Sequence, residues 1–464
     1  MFDDLRDHIV GSVCVPGDDG YRAATATWDE SVRYSPRLVV NAVSGADIQT
    51  AARWAADAGY GIGLLATGHG AFGTLSDSVL INTSRLSDAR LDEQTQRVVV
   101  GPGARWSDVQ NVTTPHGLVG LIGGSATVGV TGYTLGGGLS PLGRTFGFAA
   151  DRMTRLTVLD ANYEPVDVDA QHEPEMFWAL RGGGGLGIVT SLQFEVVPVP
   201  SLFGGGVYFF GRDAARVLTA YRDWLPTLDD RTTTSIALLH LPPLPQLPEM
   251  LRGEFVVHLR IAHVDNGDND LRTTGRSLLA LMLAAAPVIN DYTRVMTPDQ
   301  IPDIHRDPVA PTAAVYRGGW LDNLDDATIA GLVAAADGST ETAPRLIELR
   351  QLGGAMSAQP AQPNAATARS SAFNLSATAE PDADNPGAAR ALVDGIVQRI
   401  GKHGLGTQLS FFGPAPGPGA VLKLWNDSDA GRLLAVHDRL DPDNRLRDGR
   451  PLRPDTLTAE QPTL

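Results

Sequence analysis

Apolar and polar positions follow two different periods along the first two hundred residues. Residues 38–43 and 61–66 are apolar runs of strand length. Between them Ile48, Ala51, Ala52 and Ala55 recur at helical spacing over 46–59, with Gly59 as the stop. Residues 79–82 and 97–101 predict further strands, 106–116 a helix, 156–159 a strand, 174–180 a short helix and 188–197 a closing strand. This strand–helix–strand alternation predicts an α/β or α+β lobe. Inside it, residues 117–147 read as one long glycine-rich loop.

The pattern changes after the proline-bearing stretch 197–202, which reads as a boundary. Strands are predicted at 206–210, 235–241, 254–264, 345–353 and 371–377, and helices at 213–225, 270–285, 325–336 and 385–400. Repeated strands with intervening helices suggest an antiparallel sheet covered on one face. In 254–263, Phe255, Val257, Leu259 and Ile261 point one way while Glu254, His258 and Arg260 point the other. Glu348 and Arg350 likewise share a face. Such a polar face either meets solvent or roofs a substrate cavity. The chain closes with a turn-rich stretch at 413–418, a helix at 430–440 and the turn Asp441-Pro442-Asp443-Asn444.

Composition narrows the function classes. A chain of 464 residues with 43% hydrophobic and 19% charged residues buries a large core. The net charge of −16 disfavours nucleic acid and anionic membranes as partners. The single cysteine, Cys14, excludes an intramolecular disulfide and a thiolate metal cluster. There is no HExxH, and His258 and His263 lie on opposite strand faces, so no metal is expected. The acidic start lacks an apolar signal core and no run nears the length of a membrane span, so a soluble cytoplasmic protein is expected.

Glycine is the informative residue. Twenty-four of the 51 glycines fall between Gly59 and Gly187. Bare backbone permits positive φ and close approach to a ligand, and successive N–H groups form anion sites. The phosphate loop GxxxxGK[ST] is absent, and Gly136-Gly137-Gly138 is no GxGxxG with an acid about 20 residues on. Three separate glycine loops suggest a long ligand contacted along its length. A GxSxG elbow is also absent, which argues against a serine hydrolase.

Ala66-Thr67-Gly68-His69-Gly70-Ala71-Phe72-Gly73 and the run Gly123 to Gly138 (GGSATVGVTGYTLGGG) carry a resemblance. So do Phe177-Trp178-Ala179-Leu180-Arg181 with the four glycines after it, Ile188-Val189-Thr190, and the closing Asp441-Pro442-Asp443-Asn444. In this order the motifs resemble the FAD-linked oxidases of the vanillyl-alcohol-oxidase type, which have the PCMH-type FAD-binding domain, most closely the berberine-bridge-enzyme-like branch. The resemblance covers about residues 35–200 and, more weakly, 345–450. It implies an α+β fold: a two-subdomain FAD-binding domain over 1–200, a substrate-binding domain with a helix-covered antiparallel sheet over 201–405, and a segment 406–464 that returns to the first domain.

It further implies that FAD is held by Thr67, Gly68, His69, Gly70, Gly73, Gly124, Ser125, Thr127, Val128, Gly129, Gly132, Tyr133, Gly138, Leu139, Gly187, Val189, Phe411 and Asn444. His69 would bond covalently to the flavin 8α-methyl carbon. Ser125 stands where many relatives place a second, cysteine tether, so a single link is expected. Ser410-Phe411-Phe412 replaces an Asn-Tyr or Asn-Phe pair, which leaves the usual base in doubt. Candidates for catalysis are Tyr133, Glu348, Arg350 and His258, with Arg350 alternatively binding a substrate carboxylate or an enolate. The expected reaction is dehydrogenation of a C–OH, C–N or activated C–H centre of a small molecule, with O2 as acceptor. A carbohydrate or lactone oxidase, and a flavin-binding protein with a cyclase or binding role, are the alternatives.

Overall fold

The computed structural model describes residues 3–267, 270–337, 343–382, 384–401, 407–447 and 450–453. Its fold is α+β, and three sheets position the site. The first is four-stranded, in the order Ser12–Cys14, Leu38–Asn41, Ser78–Asn82, Gly61–Leu65. Its last three strands are parallel, joined in part by the helix Gly45–Asp57. That helix starts where Ser44 accepts a hydrogen bond from the Asp47 N–H, and it buries Ile48, Ala51, Ala52 and Ala55 against the sheet.

The second sheet is antiparallel, in the order Ala89–Asp92, Arg97–Val100, Ile188–Glu195, Met153–Leu159, Pro165–Val168. Residues 117–147 return between its strands, and they are not one loop. Leu118–Val119 pairs with Val197–Pro198, so the prolines near 197 sit on a short two-stranded ribbon. Val130–Leu135 is a helix that buries Val130, Thr131, Thr134 and Leu135, and Gly143–Phe146 is another. The helical spacing of those buried positions was masked in the sequence by the glycines around them.

The third sheet runs Val288–Asp291, Leu202–Phe210, Phe255–Val264, Thr232–His240, Leu346–Gln351, Phe373–Ala379, Val315–Leu321, with Arg294–Met296 also paired to Leu202–Phe210. All its pairings are antiparallel. Helices Ala214–Trp224, Leu271–Ala285, Asp326–Ala336 and Pro386–Ile400 cover one face, against which Val257, Leu259 and Ile261 pack. Val315–Leu321 went unpredicted because VYRGGWL interrupts alternation with Arg317 and two glycines. Arg317 is buried, bonding Asp394 and the carbonyls of Phe412 and Pro414.

The closing helix Asp427–Leu440 packs on Pro174–Ala179. Beyond it, Ile62 donates to the Arg445 carbonyl and Arg447 to that of Ile62, adding 445–447 to the first sheet's edge. Among the described residues no helix is long and apolar enough to cross a membrane.

Candidate active site

The first and middle glycine loops converge on His69. Gly68 has φ +78, and a Cβ there would meet the Thr27 backbone at 2.6 Å, so the turn needs glycine. The segment seated on that turn carries Trp28, whose ring stacks on the His69 imidazole with centroids 4.2 Å apart. His69 Nε2 is 2.9 Å from Thr127 Oγ1, which is 2.9 Å from Ser125 Oγ. Gly129 backs onto Ala66 and Thr67. Burial first, then the Arg105 charge, lowers His69 to about 4, so its imidazole is neutral at ordinary pH. With Nε2 engaged, Nδ1 is the nitrogen left open.

The uncovered face of the third sheet supplies the opposite wall. Register sets two rows across it. Gly206, Arg260, Ser235, Arg350 and Asn374 are consecutive Cα partners, and so are Tyr208, His258, Ala237, Glu348 and Ser376. Small residues between the long ones let the guanidinium groups lie along the sheet. Arg260 Nη1 bonds Glu348 Oε1 at 2.5 Å and Arg350 Nε bonds Oε2 at 2.8 Å. Glu348 is 2% exposed. Burial alone would raise its carboxyl, but Arg350 and Arg260 more than offset this and hold it at about 2. Glu254 is not part of this face; it is exposed and precedes the strand, which begins at Phe255.

His258 does not present a free nitrogen. Arg260 Nε donates to Nδ1 at 3.1 Å, and Nε2 donates to the Tyr292 hydroxyl at 2.7 Å, which donates to the Ile304 carbonyl at 2.8 Å. The chain fixes a neutral tautomer protonated on Nε2, in accord with a ring held well below its ordinary value by burial and by Arg260. Gly206 makes room for it, since a Cβ there would meet His258 Nε2 at 2.5 Å. Both ring nitrogens of His258, expected as a catalytic candidate, are thus engaged, and Nδ1 holds Arg260 Nε.

The same Tyr292–Ile304 bond anchors a segment that no sequence pattern signalled. His305 follows Ile304 with both ring nitrogens buried and without hydrogen bonds; its Nε2 stands 3.7 Å from Glu348 Oε1, too far for one. Burial, then Arg350 and Arg260, keeps it neutral. Asp307 lies against the middle glycine loop, where a Cβ on Gly124 would meet its Oδ2 at 2.3 Å. Burial pushes its carboxyl up against the pull of the two arginines.

Tyr133 stands on the helix that follows the middle loop, edge-on to Trp106 with centroids 5.4 Å apart. Its hydroxyl is buried without a partner, and burial raises the phenol despite Arg350. Gly138 and Gly123 pack on its ring. Phe411 lies under the Arg350 guanidinium, 5.1 Å from centroid to carbon. Leu139 lines a cavity with Ser235, Arg260, His305 and Arg350.

The remaining predicted contacts divide. Gly70 and Gly73 lie on the first loop and Val128 and Gly132 flank the helix start. The third glycine loop is a brace: the N–H groups of Gly182 and Gly184 both bond the Leu135 carbonyl, and buried Arg181 bonds the carbonyls of Ala150, Asp151, Gln362 and Pro363. The reading of three ligand-facing loops therefore reduces to two at these amides. Gly187 packs on Val158 and Leu440, and Val189 lies in the second sheet's core. Asn444 turns the closing motif at φ +50 behind the first sheet.

The backbone N–H groups of His69, Gly70, Phe72 and Gly73, and of Gly123, Gly124, Ser125 and Ala126, have no acceptor among the described residues. Two converging runs of open amides suit an anionic pyrophosphate. An open imidazole nitrogen between them suits a flavin tether. The residues present therefore fit FAD.

Comparison with known proteins agrees. Residues 36–169 match the FAD binding domain family. (R)-6-hydroxynicotine oxidase of Paenarthrobacter nicotinovorans is 26% identical over 234 residues, 49% of this chain and 51% of that protein. An FAD-linked oxidoreductase of Bacillus subtilis (strain 168) is 28% identical over 239 residues, 50% of this chain and 53% of that one. The chain thus spans about half the length of the curated relatives it matches. Of solved structures, 6-hydroxy-D-nicotine oxidase from Arthrobacter nicotinovorans superposes with a TM-score of 0.80 at 19% identity, covering 96% of this chain and 98% of that one. Berberine bridge enzyme from Eschscholzia californica superposes at 0.79 and 16%, covering 99% and 100%. By sequence, residues 36–169 carry an FAD binding domain, and the whole chain shares the fold of these two solved structures.

Proposed function

We propose that the protein is an FAD-dependent oxidase that dehydrogenates a C–OH, C–N or activated C–H centre of a small molecule, a secondary metabolite, and passes the electrons to O2. The single observation that carries this reading is neutral His69, stacked on Trp28 and bonded to Thr127 where the two open glycine loops meet. Relatives and solved neighbours bearing the names of nicotine and carbohydrate oxidases support it. FAD supplies the hydride acceptor when bound.

The chain's own residues have distinct parts in this reading. Residues 1–200 hold the cofactor, 201–405 the substrate sheet, and the closing segment returns to the first domain through 445–447 at the first sheet's edge. His69 is the single tether, since Ser125 offers no thiol. Glu348, locked as an anion between two guanidinium groups, fixes them and does not exchange protons at neutral pH. His258 orients Arg260. Tyr133, with its hydroxyl open, holds the reacting hydroxyl or amine by a hydrogen bond. The test is acid denaturation of the purified protein. Yellow fluorescent pellet, with one FAD on the His69 peptide, is expected. Flavin free in the supernatant removes the tether, and absence of flavin removes the oxidase reading.

A further inference from the structure

The chamber roofed by the third sheet holds guanidinium nitrogens that no carboxylate bonds. Arg260 and Arg350 bring two guanidinium groups into a buried site, and one carboxylate, Glu348, answers both. The two histidines beside them are neutral; Asp307, the other carboxyl, is raised by burial against the pull of both arginines and bonds neither. Buried charges are ordinarily paired and buried polar atoms ordinarily bonded. Here neither holds. Arg350 engages only Nε, so Nη1 and Nη2 have no acceptor among the described residues, and Arg260 Nη2 has none. Ser235, the register partner of both arginines, has a buried hydroxyl without a bond, as has each nitrogen of His305. All four side chains line one cavity.

A planar guanidinium edge with two free nitrogens matches the two oxygens of a carboxylate, and Phe411 holds that plane from below. We propose that the substrate carries a carboxylate, seated on Nη1 and Nη2 of Arg350, with Arg260 Nη2 and Ser235 Oγ as flanking donors. This names the substrate class of the site described above and rests on reading it as the oxidase's substrate chamber.

The experiment is a calorimetric titration of the purified protein with matched pairs: benzoate against benzamide, phenylacetate against phenylacetamide, butyrate against butyramide. Inorganic phosphate is a further arm, and flavin content is measured on the same preparations. We expect at least one carboxylate to bind about tenfold or more tighter than its amide. Arg350→Gln should erase the preference. Ser235→Ala, which removes a hydroxyl bonded to nothing in the protein, should fold normally and weaken the carboxylate alone. Equal affinity within every pair, no carboxylate binding, tighter binding of phosphate, or a preference that survives both substitutions overturns the proposal. Carboxylate preference in protein without flavin keeps this inference and removes the oxidase reading; a flavoprotein indifferent to carboxylates does the reverse.

Discussion

Arg350 donates its Nε–H to Oε2 of Glu348 at 2.8 Å, two positions away on the same strand. Because the other oxygen belongs to Arg260 on the far side of Thr232–His240, one carboxylate ties three strands together. A carboxylate placed thus is a structural keystone and a poor base. Removing one partner of a buried ion pair leaves uncompensated charge, which costs about 3–5 kcal/mol. Glu348→Gln should therefore lower the unfolding free energy by an amount of that order, read as a lower denaturant midpoint at unchanged slope. Unchanged stability with lost turnover would instead return Glu348 to the role of base.

Acid should weaken the fold early. His258 and His305 are held well below 6.5 in the folded chain, so the unfolded chain binds protons that the folded one refuses. Stability then rises with pH through that region and falls below it. Glu348 adds a term of the same sign: its stabilisation is complete above its ordinary value of 4.5 and is lost as pH falls toward about 2. Denaturant midpoints measured between about pH 5 and pH 8 should climb and then level off above the ordinary histidine range. A flat profile would contradict neutral buried histidines.

Thr127 tests the placement of His69. Its hydroxyl is the hydrogen-bond partner of Nε2, while Trp28 alone would still stack the ring. Thr127→Val keeps the shape and removes the bond. The expected outcome is flavin that still binds but attaches about tenfold or more slowly, consistent with loss of orientation of one bond-forming group. Mass spectrometry of the His69 peptide over time reads it, and an unchanged rate would show that stacking suffices.

The fold was legible where period and packing agree. Ala46–Ala55 and Phe255–Ile261 announce a helix and a strand because each buries one clean face. The polar parity of His258 and Arg260 left solvent and cavity both open; the two side chains are buried on the uncovered face, because register forces alternate residues onto it. Val130–Leu135 was hidden because glycines dilute its apolar spacing, and Val315–Leu321 because Arg317 is buried through partners distant in sequence. His305 and Asp307 had no local signal at all. Their chemistry comes from the Tyr292 hydroxyl that pins Ile304 and from arginines on strands 43 to 47 residues away in sequence. Tertiary placement, and not residue type, turns them into site residues.

Tyr133 separates packing from chemistry. Its ring is fixed edge-on to Trp106, and that contact survives loss of the hydroxyl. The hydroxyl itself is buried without a partner, so within the protein alone it costs desolvation and returns no bond. Tyr133→Phe should therefore hold flavin normally and unfold at the same temperature or higher. If the hydroxyl holds the reacting group, kcat/KM should fall by about 100-fold, the scale of a lost proton-handling contact. Thermal unfolding and peroxide release on one preparation check both halves. Full activity would leave Tyr133 as a packed ring, whereas lost stability would show that its hydroxyl has a partner inside the fold.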